Sequence, residues 1–383
     1  MPPLGLLLDD PVPCEGFAGG ASERAFLGVR VGAWNARVLA GLPTGAPGEH
    51  IVVEGGVVAS ARALAVVLAA GRVAGTDGRY VPDAEGCVAM AALSGGNPGV
   101  VYLAPGGSDR VSDRCGSAPR RPFAAEERTF DGFPLPDGPF RVADAWVFPV
   151  RHWAQVLWAN LLALGPHLWG ELVGHGAAAG ARVVWATVRA GSTRPDALAA
   201  VLSRRGRGVR VHRSAVVEGA ILGDGAVVGA GAVVRGSILG AGAVVEELAL
   251  VEGAVLGAGA RVQRMALAKF MVIEEGASHA GITQLSVIGR GAQVKLGATL
   301  MDLGLGQAVR VRAGGELRAA PHGMCGVGVG EDAVIGSGVR VAPGRAIPPG
   351  LTVLADSSGT LTRVDVPAGC TRAVVRDGAL EPT

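Results

Sequence analysis

Residues 217–262 read VEGAILGDGAVVGAGAVVRGSILGAGAVVEELALVEGAVLGAGARV, and their spacing decides the fold. An aliphatic residue recurs at Val217, Leu222, Val228, Val234, Leu239, Val245, Val251, Leu256 and Val262. The intervals run 5, 6, 6, 5, 6, 6, 5 and 6, so Val217, Val234 and Val251 repeat at 17, as do Leu222, Leu239 and Leu256. A helix repeats near 3.6 residues and a strand near 2, and neither period fits. Three short strands per turn of a triangular coil do fit. The aliphatic residue then points into the prism, a small residue two positions earlier (Ala215, Ala220, Ala226, Ala232) fits where the wall turns, and glycine takes the corners. Successive coils stack at about 4.8 Å. The expectation is a parallel β-helix over 208–360.

Working outward, the pattern breaks after Met265 and resumes with Val329, Ile335, Val341, Ile347 and Val353, now in steps of six. Between them, 301-MDLGLGQAVRVRAGGELRAAPHGMCG-326 departs from the pattern and carries Arg310, Arg312, Arg318 and His322. Insertions in solenoids tend to lie on the binding face, so a ligand site is expected there, with a solvated loop as the alternative.

The remainder of the chain is set by composition. At 383 residues, 49% hydrophobic and 18% charged, the protein is expected to fold into more than one cored unit. A net charge of +2 without an evident basic block argues against nucleic acid as a partner. No run of 18 apolar residues occurs, so no membrane partner is expected and the chain is read as cytoplasmic. The five cysteines form no C-x-x-C pair and read as reduced, structural thiols.

Residues 1–145 alternate short apolar runs (4-LGLLL-8, 51-IVV-53, 99-GVVYLA-104) with a helical stretch at 59-ASARALAVVLAA-70, which reads as α/β with a modified doubly wound sheet. The stretch 65-AVVLAAGRVAGTDG-78 looks like a phosphate-cradling loop but is better read as a helix capped at Gly71. Residues 116–140 read as a loop bounding the subdomain. In 149-PVRHWAQVLWANLLALGPHLWGELV-173 the spacing predicts a helix that starts at Pro149 and closes or kinks at Pro166, opening a connection over 146–207; residues 361–383 form a tail.

The hexads 228-VGAGAV-233 and 335-IGSGVR-340 resemble those of the hexapeptide-repeat transferases, whose left-handed β-helices assemble as trimers. The helix 149-PVRHWAQVLWANLLAL-164, lying between the two halves, resembles the linker of P-x-x-x-W-x-x-L-x-x-x-N-x-x-L-L form in the bifunctional N-acetylglucosamine-1-phosphate uridylyltransferase/glucosamine-1-phosphate acetyltransferase family. That resemblance implies a divergent nucleotidyltransferase-like domain followed by an acetyltransferase β-helix. It also implies a homotrimer, a sugar phosphate as substrate and acetyl-CoA as co-substrate.

In that family the base is a histidine, and 279-HAGITQLSVIG-289 places His279 at the matching distance from Ile288 and Gly289. A neutral imidazole suits the task of taking a proton from an attacking amine. Counting forward from the repeat instead puts His279 where an aliphatic residue should point inward. Lys295, Asp302, Arg310, Arg312 and His322 are the candidates for holding the sugar phosphate or coenzyme A, with Gln293 near a position where the family has asparagine.

Asp9 and Asp10 are the candidate Mg²⁺ ligands if the amino-terminal domain is active, although no lysine precedes Lys269 to neutralise a nucleotide's phosphates. His212 and His279, nearly four coils apart, cannot share a zinc ion within a subunit. Three functions remain open: acetyl or acyl transfer to an amino sugar phosphate or nucleotide-sugar precursor, a noncatalytic sugar-nucleotide-binding or scaffolding trimer, and an active sugar-1-phosphate nucleotidyltransferase.

Overall fold

A computed structural model describes residues 145–174, 176–304, 307–355, 360–361, 363–366 and 368–383. Before residue 145 it describes the segments 5–7, 14–18, 24–27, 29–40, 50–53, 57–74, 78–83, 93, 101–104, 118–124, 127–135 and 138–143.

From Arg204 onward the chain winds into a parallel β-solenoid of three sheets with 8, 10 and 8 strands. The first face begins with Arg204–Arg205, the second with Arg210–Val211 and the third with Val216–Glu218. On the third face Val217 pairs with Val234 and Val234 with Val251, which is the 17-residue register expected from the repeat. Two residues per strand suffice, because the inward member is sealed by the coils above and below. Leu222, Leu239 and Leu256 are at most 1% exposed, and full burial of such a side chain contributes about 1.5–3 kcal/mol.

The repeat does not break after Met265. The inward positions continue through Ala268, Ile273, His279, Thr283, Ile288, Val294 and Leu300, all buried. Two changes hide this in the sequence. Ala, Thr and His stand in for aliphatics, and one coil is short: Val255 pairs with Val272, but Val272 pairs with Val287 only 15 residues on. The next coil takes up the insertion, with Val287 pairing Gly328, and the following coil has 18 residues, Gly328 pairing Ala346. Strand Arg372–Arg376 adds a last parallel pairing to Thr352–Ala355 and turns back as the strand Ala379–Pro382.

The faces differ on the outside. The third carries a ladder of alternating charge, with Glu218, Arg235, Glu252 and Lys269 stacked in register and Arg235 Nε 2.8 Å from a Glu218 carboxylate oxygen. The first is covered along most of its length: beyond the exposed Arg204–Arg205, its outward residues Ile221, Ile238, Val255, Val272 and Val287 belong to a core shared with the amino-terminal half.

That half contributes helices α1 (Val31–Ala40), α2 (Ala61–Ala74) and α3 (Trp153–Leu172), followed by α4 (Gly176–Ala190) and α5 (Pro195–Leu202). The Ala-rich stretch 65–70 is helical as expected, but Gly71 lies inside α2 rather than at its cap. Five strands form a sheet in the order Gly5–Leu7, His50–Val53, Val101–Ala104, Gly78–Asp83, Arg120–Ala124. The sheet is mixed, because Val101–Ala104 runs antiparallel to both neighbours, so the doubly wound expectation is not met.

Residues 116–140 are not a loop. They supply the edge strand Arg120–Ala124 and, with Gly138–Ala143, a hairpin through Glu127–Leu135. Pro122, Pro134 and Pro139 sit where strands tolerate them, in an edge strand and near the end of a two-stranded ladder.

Pro149 ends the strand Val147–Pro149 instead of opening α3. His152 caps that helix, its Nδ1 accepting from the Ala154 amide at 3.1 Å. Pro166 lies within α3, which continues to Leu172. The first three turns of α3 are buried on every side, between the strands Ala25–Phe26 and Val147–Pro149 and the first solenoid face. Trp153 packs so closely on Gly328 that a Cβ there would lie 2.6 Å from the indole, which explains the glycine at an otherwise aliphatic outward position. Among the described residues no helix is long and apolar enough to cross a membrane.

Candidate functional site

The insertion forms an antiparallel hairpin, Arg310–Ala313 with Glu316–Ala319, followed by a single 3₁₀ turn at Pro321–Gly323. Strand alternation sorts its residues. Val311 and Ala313 are buried in the shared core with Val309, while Arg310 and Arg312 project outward.

Three contacts from the amino-terminal half hold the hairpin in place. His152 Nε2 lies 3.0 Å from the Arg312 carbonyl oxygen, a Glu15 carboxylate accepts from the Gly314 amide at 3.0 Å, and Trp158 Nε1 donates to the Met324 carbonyl at 3.1 Å. With Nδ1 accepting at the helix cap, His152 must carry its proton on Nε2, and burial keeps its pKa below the ordinary value.

Between the hairpin and the later coils lies an open cleft of about 320 Å³, lined by Gln307, Val309, Arg310, Leu317, Pro343 and Arg345 among others. Arg310 and Arg312 bond neutral carbonyls, those of Leu317 at 2.8 Å and Gly315 at 3.0 Å. Arg345 is partly desolvated, and that desolvation, together with the nearby Arg312 charge, lowers its pKa from the usual value. Like charges brought together in a partly dry cleft are stabilised by an anion that bridges them. Chemically the cleft is suited to a phosphate or carboxylate.

The other candidates lie elsewhere or play different parts. His279 is inside the prism, fully buried, paired in register between Val262 and Val294. Its Nε2 lies 3.0 Å from the Leu267 carbonyl oxygen, its Nδ1 has no hydrogen-bond partner, and desolvation lowers its pKa to about 4. It stands at the short corner, where four residues rather than six lead from one inward position to the next, with buried Thr283 beyond. Forward counting along the repeat, which puts an inward-facing residue at this position, matches its place in the prism. An acceptor outside the coil cannot reach this imidazole in the described conformation.

Lys295 is half-buried at a corner and bonds the Gln293 side-chain oxygen at 2.5 Å. Asp302 is half-buried, and desolvation raises its carboxyl above the usual range. His322 stands in the 3₁₀ turn with its ring 4.7 Å from that of Trp158, so it helps seat the insertion. Asp9 and Asp10 lie outside the described residues. Among the described residues, no group of three or more His, Cys, Asp or Glu converges as a metal site.

Arg345 escapes a sequence reading, since it occupies a solenoid corner, 341-VAPGRA-346, with no local signal of its role. The alternation 309-VRVRA-313 is the one visible sign of a hairpin with an arginine face. No protein-family model matches the chain, and no curated protein sequence is similar to it.

Proposed function

We propose that this protein is a hexapeptide-repeat scaffold that binds a phosphorylated small molecule, a sugar phosphate or nucleotide-sugar precursor, in the cleft beside the inserted hairpin. The observation that carries the proposal is an open cleft lined by Arg310 and Arg345, with the charge of Arg312 close to Arg345 and the hairpin held by His152 at the start of α3. Acetyl or acyl transfer from a CoA thioester is the competing reading, and the cleft would equally take the phosphates of acetyl-CoA. The burial of His279 favours binding over transfer, because the sequence offers no better matched base.

Calorimetry with glucosamine 1-phosphate, uridine-diphosphate sugars and CoA tests this. Saturable binding is expected for at least one of them. It should weaken about 10- to 100-fold in Arg310→Ser or Arg345→Ser, since a hydrogen bond to a charged group contributes roughly 1.5–3 kcal/mol. The variant His279→Leu should bind as the wild type does. Thiol release from acetyl-CoA that depends on His279 would replace this reading with the transferase.

The homotrimer is proposed on separate grounds. Leu248 and Met265, one coil apart at the corner between the second and third faces, hold left-handed φ values of 60° and 61° and are 62% and 69% exposed. The coil below places Gly231 at this corner. Left-handed backbone costs a branched or long residue about 1 kcal/mol or more, and exposing it adds nothing in an isolated chain. With Ile282 and Leu296 also exposed on the coils that follow, an apolar edge is left for other copies to cover. Sedimentation velocity should give the mass of three chains, falling to one in the double variant Leu248→Asp, Met265→Asp; a monomeric wild type would refute the trimer.

A further inference from the structure

Helix α4 is apolar on two opposite faces but packs with only one. At 100° per residue, Ala179, Val183, Ala186, Thr187 and Ala190 form a stripe directed into the protein. Ala177, Ala181, Val184, Trp185 and Val188 form the opposite stripe, with Val184 64%, Trp185 54% and Val188 78% exposed. Arg182 and Arg189 flank that outer stripe on the same side, both exposed.

The charge around this helix is one-sided. Between Gly176 and Val216 the chain has eight arginines and a single acid, Asp196. The near-zero net charge of the whole protein conceals this excess. Asp196 pairs with Arg194, Glu171 with Arg204, and Asp224 with Arg207. Arg182, Arg189, Arg205, Arg210 and Arg213 take part in no ion pair among the described residues and are exposed. These residues belong to one end of the molecule: α4 packs on α5, α5 packs on the strand Val216–Glu218, and Arg205, Arg210 and Arg213 stand in the first coil.

We infer that this end of the protein docks peripherally on an anionic lipid surface. The outer stripe of α4 would enter the headgroup boundary, and the arginines would face the lipid charge. A tryptophan among valines suits that interface, where an indole keeps its N–H in the wet layer and its ring in the apolar one. Nucleic acid would use the arginines but leave the valine stripe without a role, so the pairing of stripe with charge selects lipid.

The test is flotation of the full chain with vesicles of phosphatidylcholine alone and of phosphatidylcholine with phosphatidylglycerol. Binding is expected to the anionic vesicles and to fall as salt rises. The double variant Arg182→Ser, Arg189→Ser should reduce partitioning by more than tenfold, at about fivefold per arginine near a charged surface. Val184→Asp with Val188→Asp should reduce it at least as far. All four residues are exposed, so circular dichroism should be unchanged, and soluble glycerol phosphate should not compete. Equal binding to uncharged vesicles, competition by glycerol phosphate, binding only to RNA or DNA, insensitivity to both double variants, or a stripe that serves only self-association would each overturn the inference.

Discussion

Replacing Arg24 by alanine is expected to lower the stability of the protein by about 3–5 kcal/mol, the cost of leaving a buried charge without its partner. Arg24 is fully buried, and its guanidinium joins two carboxylates from coils on either side of the one that carries Val287, Glu274 at 3.2 Å and Glu331 at 2.6 Å. Phe17 lies under it, 4.7 Å from ring centre to guanidinium carbon. The same carboxylates take backbone amides, Glu331 from Ala18 at 2.7 Å and Glu274 from Arg290 at 3.2 Å.

Without Arg24, two buried carboxylates are left at one corner of the solenoid, and the segments 14–18, 24–27 and 29–31 lose one of their anchors. Urea unfolding measures the total loss, and proteolysis within those segments shows whether they detach first. The triple variant Arg24→Met, Glu274→Leu, Glu331→Leu should recover most of the stability, because it removes desolvation cost together with attraction. A loss below about 1 kcal/mol in Arg24→Ala would mean that the triad is hydrated and does not join the halves.

The second large effect is a pH dependence located at His279. Its pKa falls from 6.5 to about 4 in the folded protein, because burial in the prism penalises the imidazolium. Between those values the unfolded chain binds more protons than the folded one, so stability falls as pH drops from about 6.5 towards 4 and is undiminished above 6.5. By pH 4 the loss from this residue is about 3 kcal/mol, at 1.36 kcal/mol per pKa unit.

His152 and His167 are also shifted down by burial and add to the slope in the wild type. The informative quantity is therefore the difference between wild type and His279→Leu. Across urea midpoints measured from pH 7 to pH 4, the difference should move in favour of the leucine variant, which loses less. Parallel curves would show that the imidazole is not buried in solution.

How much of this was legible before any coordinates depends on whether the controlling interactions are periodic. The solenoid was legible because stacking imposes the same demand on each coil, so Val217, Val234 and Val251 report one environment three times. The stretch after Met265 obscured the pattern through substitutions the interior tolerates, Ala268, His279 and Thr283, and through a corner two residues short. The covering of the first face was not legible: paired aliphatics occur there (221-IL-222, 238-IL-239, 255-VL-256, 272-VI-273) but also on the other faces (227-VV-228, 233-VV-234, 244-VV-245), and only the structure shows that the outward member of the first-face pairs is buried in the core shared with α3.

The site was legible only in part. Arg310 and Arg312 could be proposed from the insertion, but their neighbour Arg345 comes from a later coil, and His152 and Glu15 hold the hairpin from more than 150 residues away. His279 is the clearest case of two local rules giving opposite answers. Family spacing assigned it the base position and repeat counting an inward-facing one; the structure places it inward, in register with Val262 and Val294.

The sequence by itself therefore determined the solenoid, its coil length and the position of its insertion, since these follow from short-range spacing repeated many times. Only the tertiary structure decided which arginines meet, which histidine is sealed from solvent, and that Arg24 joins the amino-terminal half to two coils. Those outcomes depend on single contacts between distant segments, which leave no period in the chain.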